Sequence, residues 1–160
     1  MRLRWWYGLA FNLLLILLVI CGGVFIVLPP RQLCISDAVS GKIYARRPVQ
    51  NGSEFEIEFI HSVNNSPVTD IFRVEKNQLR PVAAKFFSYG AGMPSDLEPG
   101  QTLSREGDAL VITGFSQSYR ELNYIVGTVS DHILTIKNEK ISLRDLCGKN
   151  ARIRIYISKL

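Results

Sequence analysis

Hydrophobic and polar positions follow two different rhythms on either side of residue 30. From Leu9 to Leu28 the chain reads LAFNLLLILLVICGGVFIVL, with no charged residue and one amide, Asn12. As an α-helix this run rises about 30 Å, the thickness of a bilayer's hydrocarbon core. A helix is required there because lipid offers no partner to a backbone N–H or C=O. Arg2 and Arg4 precede the run, and Trp5, Trp6 and Tyr7 stand at its boundary. Positive charge resists translocation, so the N-terminus is expected in the cytoplasm. Pro29 and Pro30 stop the helix, since neither donates a hydrogen bond. The pattern predicts a short cytoplasmic N-terminus over 1–8, a transmembrane anchor helix over 9–28 and an extracytoplasmic domain over 31–160. A removable signal peptide fits less well, because its apolar region runs to about 7–15 residues and ends in a small-x-small site. A lipoprotein reading of Cys21 fails on the bulky Ile20 before it and the apolar run after it.

Beyond the prolines the period shortens to two. In Glu54-Phe55-Glu56-Ile57-Glu58-Phe59-Ile60-His61 acids and apolar residues alternate, which gives a strand one wet and one buried face. Similar short runs occupy 33–36, 42–46, 68–75, 82–89, 109–113, 119–126, 132–137 and 152–158, separated by turn residues. No stretch after residue 30 sustains a helical period, although Leu143–Leu146 suits one helical turn. Strands at this spacing predict an all-β domain, a small antiparallel sandwich or barrel-like fold preceded by the one transmembrane helix.

Charge and cysteine content narrow the partners. The 160 residues carry a formal charge of +5, and setting aside Arg2 and Arg4 leaves a mild, scattered excess. No basic stripe interleaved with aromatics appears, so nucleic acid is not an expected partner. Cys34 and Cys147 lie near the two ends of the domain. An oxidising compartment permits a disulfide between them, and two buried thiols acting as small hydrophobes are the alternative. With no CxxC pair and only two histidines, His61 and His132, neither a metal site nor a cofactor is expected.

Strand parity singles out two polar residues. Phe55, Ile57 and Phe59 put His61 on the buried face, and Val68, Phe72 and Val74 do the same for Asp70. A hairpin centred between Asn65 and Ser66 would set Ile57 against Val74, Phe59 against Phe72 and His61 against Asp70. An imidazole opposite a carboxylate on an inner face must be paired, since buried unpaired polar groups are costly. Such a pair either locks the hairpin register or forms a ligand or partner site. Ser62 adjoins His61 but points to the other face, which argues against a Ser-His-Asp triad and against catalysis. In Ser88-Tyr89-Gly90-Ala91-Gly92-Met93-Pro94 the glycines either serve the turn itself, through positive φ or close backbone approach, or form with Ser88 a candidate binding turn of Ser88, Gly90 and Gly92. Pro94 keeps the segment from opening a helix, so it does not read as a phosphate loop.

The residues Phe59-Ile60-His61-Ser62-Val63, Pro67-Val68, Asp70, Phe72 and Phe87 to Pro94 together resemble an uncharacterised bacterial family of small single-span proteins. Their domain has no assigned function, and they occur beside TAXI-class TRAP transporters. The likeness continues more loosely through Val126-Gly127, His132 and Leu143–Leu146. It leads us to expect glutamate at the position of Asp70, so this chain keeps the carboxylate on a shorter stem. The resemblance implies an accessory or regulatory protein of a TRAP-type solute transporter, held by its anchor in the membrane lipid. Its partner would be the permease or the solute-binding protein, with His61, Asp70 and the Gly90–Gly92 turn forming the contact. A small-ligand or cation-sensing β domain is the second expectation, and a hydrolase the third.

Overall fold

The computed structural model describes residues 31–87 and 96–159. The expected anchor over 9–28 and the Ser88, Gly90 and Gly92 turn lie outside the described residues. Eleven strands and one short helix follow in order. They are β1 (Arg31–Asp37), β2 (Ile43–Val49), β3 (Glu54–Ile60), β4 (Pro67–Glu75), β5 (Gln78–Phe86), β6 (Thr102–Glu106), β7 (Ala109–Thr113), β8 (Glu121–Ile125), β9 (His132–Ile136), β10 (Glu139–Ser142), α1 (Leu143–Cys147) and β11 (Arg152–Lys159). The domain is all-β with antiparallel sheets. A four-stranded sheet has the order β2-β1-β11-β8, and a seven-stranded sheet has the order β10-β9-β3-β4-β5-β7-β6.

Alternation accounts for how the sheets bury their faces. On β3, Phe55 and Ile57 are buried while Glu54, Glu56 and Glu58 are exposed. On the small sheet, Leu33, Ile35, Ile153 and Ile155 point inward and meet Phe55, Ile57, Phe72 and Leu134 of the large sheet in one main core. Fully burying an aliphatic or aromatic side chain of this kind contributes about 1.5–3 kcal/mol. A second, smaller core of Val68, Phe86 and Ile112 lies further along the large sheet, joined by Phe59, Leu103 and Phe115. The single helical turn expected near Leu143 is present. Ser142 caps it by accepting from the Asp145 N–H at 3.0 Å, and Leu143 is buried.

Strands β6 and β10 are absent from the sequence reading for a physical reason. TLSRE is almost wholly exposed at the sheet's edge, so no apolar alternation marks it. EKIS has four residues and owes its place to a tight turn, in which Lys137 and Asn138 both take positive φ (49° and 66°).

The β3–β4 hairpin corrects the expected register. Phe55 faces Phe72, Ile57 faces Asp70 and Phe59 faces Val68, so His61 does not stand opposite Asp70. The strand ends at Ile60, paired with Pro67, and a loop of residues 61–66 follows. Its ends are tied by His61 N–H to Ser66 O and Asn65 N–H to His61 O, both 2.9 Å. Asn65 closes the turn at φ +48°, a conformation that asparagine tolerates better than most residues. The offset from the expected register is four residues. Being even, it leaves Asp70 on the inner face.

Candidate functional site

The inner face of β4 presents Val68, Asp70, Phe72 and Val74, and only Asp70 is charged. Val68 belongs to the smaller core and Phe72 to the main one, so Asp70 stands at the seam between them. Its cross-strand neighbours are Ile57 on β3 and Ala84 on β5. Alanine is short, and space opens beside it.

Three local features keep that seam open. First, β5 pairs with β7 only from Ala83 to Phe86, and the chain then leaves the large sheet through residues 114–120 to reach β8 in the small sheet. Second, Pro81 occupies the stretch of β5 freed on that side, where its missing N–H costs no ladder bond, and a bulge that leaves Val82 unpaired between Pro81 and Ala83 bends β5 itself. Third, the departing chain is pinned at both ends. Leu79 and Tyr119 exchange backbone hydrogen bonds at 2.8 and 2.9 Å. Gly114, at φ +81°, passes so close that a Cβ would sit 2.1 Å from the Gly100 carbonyl oxygen. The outcome is a cleft of about 520 Å³ bordered by β4, β5, the 115–119 crossing and β8.

Within the cleft the Tyr124 hydroxyl donates to Asp70 Oδ2 at 3.5 Å, a long bond. Burial pushes the Asp70 carboxyl above the ordinary carboxylate range, and the bond from Tyr124 offsets this only in part. Burial also pushes the Tyr124 phenol upward, with the neighbouring Asp70 charge adding to the shift. Behind this pair, His132 stacks on Phe59 with ring centroids 5.0 Å apart and meets the Tyr124 ring edge-on at 5.9 Å. His132 Nδ1 accepts from the Gly127 N–H at 3.2 Å, and burial holds its pKa below the usual value. His132 is thus a structural imidazole supporting the tyrosine.

The other expected site residues lie elsewhere. His61 caps its own loop, with Nδ1 accepting from the Val63 and Asn64 N–H groups at 3.3 Å each. Ser62 is exposed in the same loop. Neither belongs to the Asp70 cleft. Cys34 and Cys147 are free thiols, so the alternative of a disulfide is not realised. Cys34 is buried on the face of β1 turned away from Leu33 and Ile35, whereas Cys147 packs against the main core. Burial raises the Cys147 thiol to about 11.

Tyr124 is the residue that sequence reasoning missed, and a signal for it existed. Leu122, Tyr124 and Val126 share one parity, and a buried tyrosine needs a partner for its hydroxyl. The acid expected on an inner face was Asp70, and the sequence reading assigned its pairing to His61 instead.

Fold and cleft together define an all-β domain of two antiparallel sheets with an acidic, aromatic-walled pocket between β4, β5 and β8. The chain belongs to the family described as a domain of unknown function (DUF1850), whose model matches residues 55–143, more than half of its length. Every residue bordering the cleft falls within that match. No curated protein and no solved structure matches the chain.

Proposed function

We propose that this protein is a membrane-tethered, extracytoplasmic domain that binds a small ligand in the cleft at Asp70 and Tyr124. The observation that carries the reading is a half-buried carboxylate, held among the described residues by one long hydrogen bond, in a cleft of a size typical for ligand sites. Perturbed titratable groups in concave sites are concentrated where proteins bind or react. A thermal-shift screen of the full chain in mild detergent tests this. A ligand at a hundred times its dissociation constant stabilises by about 2.7 kcal/mol, and Asp70→Asn should abolish the shift. If no small polar solute moves the midpoint, or if Asp70→Asn leaves the shift intact, the reading fails.

A second reading is an accessory role beside a TRAP-type transporter, as the family resemblance implies. The exposed apolar residues Ile60, Val63, Phe87 and Val129 support it. They gather where β3 and β5 end and β9 begins, with the Ile60 N–H donating to Ser130 Oγ at 3.0 Å. A partner could cover them, and a tether would raise the effective concentration for such a weak contact. Co-purification with the permease or solute-binding protein, lost on Val63→Asp, is the expected result. Repeated recovery of the chain alone would remove this reading.

A further inference from the structure

The charges bordering the cleft point to one class of ligand. Asp70 and Glu121 are its acidic residues, and among the described residues no lysine, arginine or histidine lines it. Glu121 lies on the outer parity of β8 and pairs with Arg154 at 3.8 Å, so the uncompensated charge inside is that of Asp70. Arg80, beside the 115–119 crossing, already has partners of its own. Arg80 donates to the Phe115 carbonyl at 3.3 Å and pairs with Glu75 at 3.5 Å. The walls are Phe72, Phe115, Tyr119 and Tyr124.

Resting on the reading of this cleft as a ligand site, we propose that it takes a small organic cation, an amine or quaternary ammonium, with Asp70 as the counter-charge. A carboxylate removed from water interacts more strongly with an opposite charge than it does at the surface. Aromatic rings favour a cation within about 6 Å of a ring centroid. An anionic ligand would find the reverse situation, with one negative charge and no guanidinium, ammonium or imidazolium to offset it. The alanines at 83 and 84 leave room beside Asp70 for an alkylated nitrogen, which needs space more than hydrogen-bond partners.

The experiment titrates the full chain in lipid nanodiscs, by calorimetry, with choline, putrescine, succinate and glycerol in turn. Choline or putrescine should bind, and Asp70→Asn should weaken that binding at least tenfold, while Asp70→Glu restores most of it. Phe115→Ala should weaken the cation without loss of the folded state, checked by the thermal midpoint of the variant. Binding of succinate or glycerol at this cleft, with choline and putrescine inert, would overturn the cation assignment and leave the ligand-site reading standing. Inertness of all four compounds would remove both.

Discussion

Tyr124 on the edge strand of the small sheet reaches across the fold and donates its hydroxyl to Asp70, in the middle of the large sheet, at 3.5 Å. This is the polar link between the sheets at the place where they are otherwise joined by apolar contact. It is too long to be strong, and it leaves a desolvated acid in need of something better. Under the proposed ligand-site reading, a residue kept in so unfavourable a setting trades stability for binding.

The first prediction concerns that trade. Because burial raises the Asp70 pKa, the folded chain holds this proton at a pH where the unfolded chain, titrating at 3.8, has lost it. Stability therefore falls as pH rises above 3.8 and levels off above the raised folded value. Asp70→Asn should be more stable than the parent at about pH 7 and converge with it in acid. Thermal midpoints across a pH series check the sign. Tyr124→Phe, which loses only a long bond, should cost no more than about 1 kcal/mol.

His132 should act in the opposite sense. Its imidazole is neutral and stacked on Phe59, and burial lowers its pKa below 6.5 against the pull of Asp131. The folded chain then binds fewer protons than the unfolded one, so stability is lost as pH falls through 6.5. The carbon-bound imidazole protons, followed by NMR, should titrate below that value. His132→Phe should flatten this part of the stability profile.

The thiols should be inert. Cys34 is buried, and Cys147, raised to about 11, holds little thiolate near neutrality. In native conditions a maleimide or aromatic disulfide reagent should label neither at an appreciable rate, and both should react after denaturation. Non-reducing mass analysis should find no bridge. Rapid labelling of Cys147 in the folded chain would contradict its packing against the main core.

Much of the fold could be read from alternation alone. The wet and buried faces of β3, the inward position of Asp70 and the helical turn at Leu143 all follow from residue periods. What alternation does not determine is how many residues a loop consumes. The β3–β4 turn takes 61–66 and caps itself with the His61 ring, so the imidazole expected against Asp70 is spent on the loop. The cleft was illegible for a different reason. It exists because β7 stops short, a bulge at Val82 bends β5 and residues 114–120 cross between sheets, events that couple positions far apart in the chain. Short periodic patterns carry no information about such crossings.

The most direct test of the central claim uses two sets of methyl groups. Ala83 and Ala84 border the cleft, whereas Val63 and Val129 lie exposed at the end of the large sheet. With the full chain in nanodiscs and its alanine and valine methyls labelled, addition of choline, putrescine, succinate and glycerol should shift the Ala83 and Ala84 signals for at least one compound. Val63 and Val129 should stay in place. Shifts confined to Val63 and Val129, or no shift at either alanine with any of the four, would contradict a ligand site at Asp70 and Tyr124.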